Sequence, residues 1–374
     1  MKYYIIAGEA SGDLHGANLI KGIKTIDNNS HFRVWGGDKM QAAGAELVKH
    51  YKDHAFMGII PVIKNLGTIR RNLFQVVEDI ENFSPDALIL IDYSGFNLRV
   101  AKKVRHLRFK IFYYISPQVW AWRQKRVYDI KKLTDKVFAI LPFEKEFYSK
   151  YDVDVEYVGH PLLDSIKEFH EGFTISENEF RRENDLSEKP LVALIPGSRR
   201  QELLAQLPVM LGAIKSFPDY QFVIAGMNSI KDETYMDCIS GFEISIIYDQ
   251  TYELLSFSKA ALVTSGTATL EAALFNVPEV VCYRAGKLSY ILVKHLVKIQ
   301  FISIVNLIMG RKVVNELIQD ELTVENVRKE LQLLLSDKST RKNIRAGYDE
   351  VKNKLGGPGA SLRAAQGMVN LLMN

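Results

Sequence analysis

Cysteine is nearly absent. Only Cys238 and Cys282 occur in 374 residues, far apart and without CxxC spacing. That argues against a disulfide framework and a cysteine zinc site, and it suits a reducing compartment. His160, in Gly159-His160-Pro161, has no second histidine at ligand spacing, so it reads as a hinge or packing residue and no metal is expected. A GxSxG elbow is missing, which removes the usual serine-hydrolase reading. The longest strictly apolar runs, such as residues 3–7 and 111–115, contain five residues, whereas a bilayer span needs about twenty. The N-terminus enters a short apolar run and meets Glu9 at once, unlike a signal peptide. No fixed-period repeat or low-complexity tract is present, and the chain reads as cytoplasmic.

What is present is ordinary globular material in quantity. The chain is about two to three times a typical single-domain length, so two domains are expected. Hydrophobic residues make up 47% and charged residues 25%, enough for sizeable cores. Short apolar runs ending in Gly, Ser or Pro alternate with stretches of helical period, the pattern of βαβ units and a parallel sheet. One series predicts strands at 3–7, 87–91, 110–114, 137–141 and 156–158. A polar stretch over 165–190 follows, and a second series predicts strands at 191–195, 221–225, 243–247, 260–264 and 279–283, ending in helix-rich sequence from about Thr323. The fold class is therefore α/β with two open parallel sheets, and the domain junction is expected within the polar stretch. Ligands of such sheets bind in loops at the carboxyl ends of the strands, and two such edges facing each other would make a central cleft.

In the first half, the opening strand runs into Gly8-Glu9-Ala10-Ser11-Gly12-Asp13, with a helical pattern from Leu14. Glycines allow a tight turn, Ser11 or Asp13 suits a helix cap, and the helix start offers N–H groups to a ligand. A plain strand-to-helix turn is the alternative. Asp92 ends the apolar run 87–91, where an α/β enzyme would hold a general base. The competing role is a helix cap, which Asn97 already suits.

Net charge is only +4, but the cations cluster: residues 93–128 hold nine Lys or Arg and no Asp or Glu. Such one-sided charge points to a polyanion or a phosphate-bearing surface. Within it lies Trp120-Ala121-Trp122-Arg123-Gln124-Lys125-Arg126, where the tryptophans suit either core packing or an amphipathic rim for an acylated ligand. Residues 55–63 are apolar without alternation and broken by Gly58 and Pro61. Leu66, Ile69, Leu73, Val76, Val77 and Ile80 continue at helical spacing and read as core. Met57, Ile59, Ile60, Val62 and Ile63, with Arg70 and Arg71 nearby, fit a membrane-touching loop.

In the second half, a predicted strand gives way to Pro196-Gly197-Ser198-Arg199, and another to Ser265-Gly266-Thr267-Ala268. Backbone N–H groups plus Arg199 suit a diphosphate, although neither Walker lysine spacing nor a Rossmann glycine triad is present. Glu271, one turn into the second helix, could accept hydroxyls of a ribose. Residues 280–315 carry six cations and no acidic residue, which suits phosphate, membrane or a solvated helix face.

Taken together, Gly8 to Asp13, Met57-Gly58, Ser116-Pro117 through Arg126, Leu141-Pro142-Phe143-Glu144-Lys145, Val158-Gly159-His160, Pro196 to Arg199, Ser265 to Ala268 with Glu271, and Asn306 before Gly310-Arg311 resemble the lipid A disaccharide synthase family, in its order and over nearly the whole chain. The resemblance implies a GT-B architecture, two Rossmann-like domains, 1–165 and 166–356, facing a central cleft, with a C-terminal helix at about 357–374 crossing back onto the first domain. It implies an inverting, metal-independent glycosyltransferase without a cofactor. That enzyme transfers a diacylglucosamine from its UDP derivative to the primary hydroxyl of a diacylglucosamine 1-phosphate, at the cytoplasmic face of an anionic inner membrane.

Asp92 then matches the family's general base. Ser198, Arg199, Ser265, Gly266, Thr267, Glu271 and Asn306 fall on the donor side. Glu9, Ser11, Gly12, Asp13, Trp122 and Arg123 fall on the acceptor side. Ser94 replaces the family's usual proline, and Gly95 stands where some members have a second aspartate, so a second carboxylate is not essential here. The oligomer is left open, a homodimer included.

Two rival readings remain at this level. UDP-N-acetylglucosamine epimerases share the fold and donor, but the apolar loop argues against them. A basic, non-catalytic nucleic-acid binder accounts for the cations but not for Asp92 or two anion-ready turns, so no nucleic acid is expected.

Overall fold

The computed structural model describes residues 1–53, 66–121, 124–285 and 300–373. Two compact units divide the chain: Met1–Ser165 with Gly357–Asn374, and Ile166–Gly356. In the first, strands β1 (Lys2–Ala7), β2 (His31–Gly36), β3 (Glu46–His50), β4 (Ala87–Ile91), β5 (Lys110–Tyr114), β6 (Lys136–Ala139) and β7 (Val155–Tyr157) form one parallel sheet. Their order is β3-β2-β1-β4-β5-β6-β7. In the second, β8 (Leu191–Ile195), β9 (Gln221–Gly226), β10 (Ser245–Tyr248), β11 (Ser258–Thr264), β12 (Glu279–Tyr283) and β13 (Asn315–Ile318) take the order β10-β9-β8-β11-β12-β13, again parallel. Both are Rossmann-like, and in both the strand order reverses beside the first strand.

Central strands are buried on both faces and so read as continuous apolar runs: every residue of β4 and of β8 is buried. The strands absent from the sequence reading are β2, β3 and β13. Arg33 interrupts the run of β2 because its guanidinium is spent on Asp79 and Glu46, 2.8 Å from each. The edge strands β3 and β13 carry Glu46, Lys49, Asn315 and Glu316. β6 ends at Ala139 rather than at 141, because the N–H groups of Ile140 and Leu141 turn to the Glu144 carboxylate.

The helix Ala360–Met373 packs on the helix Ala10–Lys24. Gly22 permits the approach, since a Cβ there would lie 3.3 Å from that of Ala365. Asp164 caps the returning helix, accepting the N–H groups of Gly359, Ala360 and Ser361. Beside this crossing His160 is buried, its Nδ1 accepting the N–H of Leu162, and burial lowers its pKa to about 3.

Candidate active site

In the first unit the strand order reverses between β1 and β4, and the loops leaving both strands meet there. Asp92 and Tyr93 follow β4 with φ of 43° and 45°, left-handed conformations that cost about 1–3 kcal/mol each for residues with a side chain. The surrounding structure fixes this turn. Tyr113 Oη donates to the Asp92 carbonyl at 2.6 Å, Asn97 Nδ2 donates to it at 2.9 Å, and the Asp92 N–H donates to Ile115 at 3.1 Å. Gly8 lies under the Tyr93 ring, where a Cβ would approach Cγ to 2.5 Å, so position 8 requires glycine. Asp92 is thereby held by its main chain while its side chain is exposed at the end of a buried strand.

Asn97 does not cap the following helix, Ser94–Val104. Tyr93 occupies the N-cap, and the Asn97 side chain clamps strand-end carbonyls instead. Ser94 Oγ accepts a hydrogen bond from Arg126 at 2.9 Å, so the basic segment reaches the Asp92 turn through a contact proline could not make. Nothing stands within 4 Å of where a Gly95 Cβ would be.

The helix after β1 begins at Ala10, not Leu14, with Glu9 at its N-cap and no side-chain cap bond. Ser11 and Asp13 therefore do not cap it. Small residues give no apolar signal, yet Gly12 has to be small, with Ala7 Cβ 3.0 Å from its would-be Cβ. Ser11 is exposed, while Asp13 is buried. Its oxygens take the N–H groups of Gly37, Lys39 and Met40 at 2.8, 3.0 and 3.1 Å. Asp13 shapes the loop after β2, and its carboxylate is committed to that role.

Trp120 is core, edge-on to Phe143 at 4.9 Å. Trp122 and Arg123 lie outside the described residues, as do Met57, Ile59, Ile60, Val62 and Ile63. Glu144, part of the Leu141 to Lys145 motif but assigned no role there, is buried beside β5 and β6. It accepts from Ser116 Oγ at 3.1 Å and from the Ile140 and Leu141 N–H groups, and burial raises its pKa to about 7.

The helix Leu66–Phe83 buries Ile69, Val76 and Ile80 and packs Leu73 and Val77 against the core. Its outer face exposes Arg70, Arg71 and Phe74, with Phe74 56% exposed. Arg70 and Lys103 lie 5.8 and 5.5 Å from the Phe74 ring centroid. Phe74 falls off the apolar stripe of its helix among cations, a signal the sequence does contain. Among the described residues no helix is long and apolar enough to cross a membrane.

In the second unit the reversal lies between β8 and β11, and both anion-ready turns leave those two strands. Ser198 and Arg199 are exposed, Arg199 being the N-cap of the helix Arg200–Ile214 and 3.1 Å from Glu202. Gly266, at φ 150°, is the N-cap of the helix Thr267–Leu274, and open space lies where its Cβ would be. The Ser265 hydroxyl donates to the Ile302 carbonyl at 2.9 Å, so what it can offer a ligand as a donor is its N–H. Glu271 is half-buried, which raises its pKa, and Tyr252 Oη donates to its Oε1 at 3.0 Å.

Asn306 lies in the helix Ile304–Met309. It is fully buried, and its amide is saturated: Oδ1 accepts from the Val313 and Val314 N–H groups, and Nδ2 donates to the Val314 carbonyl and Glu316 Oε1. Its work is to hold the turn that enters β13. Among the described residues no group of three or more His, Cys, Asp or Glu could hold a metal ion.

Comparison with known proteins gives this arrangement a context. The family model for lipid-A-disaccharide synthetase matches residues 3–366. The lipid-A-disaccharide synthase of Geobacter metallireducens is 39% identical over 98% of this chain and 96% of its own length. That of Myxococcus xanthus is 36% identical over 98% and 97%. Among solved structures, a UDP-GlcNAc 2-epimerase from Neisseria meningitidis bound to UDP-GlcNAc superposes with a TM-score of 0.73 over 99% of this chain and 100% of its own. The glycotransferase of kitacinnamycin gives 0.61 over 99% and 98%. Those two are 13% and 14% identical, so they establish a shared GT-B type fold and nothing about activity. The non-catalytic reading fails against curated enzymes matched end to end, and the epimerases remain relatives in fold. Full-length identity of this order, with a family model spanning both units, places the chain in the lipid-A-disaccharide synthase family, glycosyltransferases of lipid A biosynthesis.

Proposed function

We propose that the chain joins UDP-2,3-diacylglucosamine to 2,3-diacylglucosamine 1-phosphate, giving a β-1′,6-linked tetraacyl disaccharide 1-phosphate and UDP. The observation that carries this reading is the Asp92 turn: an exposed carboxylate on a main chain locked in a costly conformation at the switch point of the sheet. Asp92 takes the proton of the acceptor's primary hydroxyl as that oxygen attacks the anomeric carbon. The bond from that carbon to the diphosphate oxygen breaks on the opposite face, its electron pair leaves with UDP, and configuration inverts.

The first unit would hold the acceptor, with Glu9, Ser11 and Gly12 in the loop and helix start that follow Gly8 under the Tyr93 ring, and Asp13 fixing the loop after β2. The second would hold UDP: Arg199, Ser198 and the N–H groups at Ser265, Gly266 and Thr267 on the diphosphate, and Glu271 on the ribose. Charge on the departing UDP is met by helix-start dipoles and a guanidinium, with no metal required. Both substrates carry acyl chains, so the enzyme works peripherally at an anionic membrane surface. Arg70, Arg71, Lys103 and the exposed Phe74 suit that surface, and the apolar run 57–63 precedes in sequence the helix Leu66–Phe83 that carries Arg70, Arg71 and Phe74.

The test is incubation with both lipid substrates in excess EDTA, followed by mass spectrometry. A tetraacyl disaccharide phosphate with stoichiometric UDP is expected. Epimerised UDP-sugar without disaccharide, or activity restored only by Mg²⁺, would overturn the proposal.

A further inference from the structure

Tyr252 lies in the helix Thr251–Phe257, and nothing in its sequence neighbourhood marks it for chemistry. The structure places its hydroxyl 3.0 Å from Glu271 Oε1. Its ring is not free to wander, with Phe275 at 5.1 Å between centroids and Phe169 edge-on at 5.4 Å. Phe169 is in turn stacked on Phe173 at 4.6 Å and set against Phe275 at 5.7 Å. The hydroxyl is therefore delivered by a packed aromatic cluster. Desolvation and the facing carboxylate push the phenol pKa up, so it stays a neutral donor.

A glutamate side chain has three rotatable bonds, and an unsupported carboxylate loses orientation when no ligand holds it. Here one oxygen is pinned by a charge-assisted hydrogen bond, stronger than a neutral one. Oε2 receives no hydrogen bond among the described residues. The same bond favours the ionised form of Glu271 against the burial that opposes it, keeping the carboxylate an acceptor. One oxygen held and one open is the arrangement needed to receive a hydroxyl.

We propose that Tyr252 is a positioning residue for nucleotide recognition: its hydroxyl fixes Glu271 Oε1 and so sets the preference of the second unit for a ribose bearing its hydroxyls. This rests on the reading of Glu271 as the ribose-binding carboxylate.

The experiment compares UDP with 2′,3′-dideoxy-UDP by calorimetric titration of the full chain, using the parent, Tyr252→Phe and Glu271→Gln. Phenylalanine retains the ring, so the aromatic cluster stays filled and only the hydrogen bond is lost. The parent is expected to prefer UDP by roughly tenfold or more, the scale of a hydrogen bond to a charged group. Glu271→Gln should abolish most of that preference. Tyr252→Phe should reduce it about threefold or more, while affinity for the dideoxy nucleotide stays as in the parent. A parent without the preference, or a Glu271→Gln variant that retains it, removes the ribose reading and the proposal with it. If Glu271→Gln loses the preference and Tyr252→Phe keeps it, Glu271 binds ribose unaided and the role of Tyr252 is overturned. Equal weakening of both nucleotides in Tyr252→Phe would show packing alone and would overturn that role as well.

Discussion

Individual side chains divide into those that present a reactive group and those that hold one still. Asp92 is exposed, and Tyr113, Asn97 and Gly8 hold its turn. Asp92→Asn should keep the fold, because the clamps act on its carbonyl, and should lower turnover by about a hundredfold or more, the scale of losing a general base. Steady-state kinetics beside a circular dichroism melt would show this, and near-parental turnover in a folded variant would remove Asp92 from the chemistry. Glu144 is the contrasting case, a carboxyl buried among donors whose pKa stands at about 7 against an ordinary 4.5. Between those values the folded state holds a proton that the unfolded state has lost. Its contribution is therefore fully present below pH 4.5 and fades as pH rises through 7, by up to about 1.4 kcal/mol per pH unit. Glu144→Gln lacks this titration. Its stability relative to the parent should climb from pH 5 to 7, measured by urea unfolding with tryptophan fluorescence, and parallel pH profiles would refute the shift.

Among secondary-structure elements, what can be read from sequence depends on how each strand or helix is solvated. β1, β4, β5 and β8 are sealed on both faces and stand out as apolar runs, whereas β2 hides behind Arg33 and the edge strands β3 and β13 behind their charges. The site divides in a similar way. Asp92 and the turns at Ser198 and Ser265 are legible because they punctuate strands. The supports Tyr113 and Tyr252 are not, because a hydrogen bond between elements leaves no local pattern. Asn306 stands out through its family motif, and its buried amide closes the turn at Val313 and Val314. The helix Leu66–Phe83 shows both sides, its inner stripe obvious and Phe74 hidden among cations. If that outer face meets an anionic surface, Phe74→Ser with Arg70→Ser and Arg71→Ser should reduce co-sedimentation with phosphatidylglycerol vesicles. Each cation is worth roughly 1 kcal/mol there, and Phe74 adds an apolar part that salt does not screen. Activity on detergent-dispersed substrates should fall much less. Unchanged vesicle binding in a folded triple variant would take this helix out of the membrane contact.

For the whole molecule, the chain builds two cores and passes between them twice, at Ser165–Ile166 and at Gly356–Gly357. Asp164 stands at the first passage and caps the helix that begins just after the second, so one carboxylate secures both ends of the first unit. Losing a cap of this kind costs about 1–2 kcal/mol, or a few degrees of melting temperature for a unit of this size. The three tryptophans, Trp35, Trp120 and Trp122, all fall within Met1–Ser165, so their fluorescence is a signal from the first unit. Asp164→Ala should therefore lower the tryptophan-detected melt. UDP should act on the other unit. At a hundred times its dissociation constant it adds about 2.7 kcal/mol to whatever binds it, enough to move a calorimetric transition by several degrees while the tryptophan signal of the first unit stays in place. If its guanidinium serves the diphosphate as proposed, Arg199→Ala should shrink that calorimetric shift and leave the tryptophan melt in place. A tryptophan transition that rises with UDP, or an undiminished shift in Arg199→Ala, would contradict the assignment of the nucleotide to Ile166–Gly356 through the turn at Arg199.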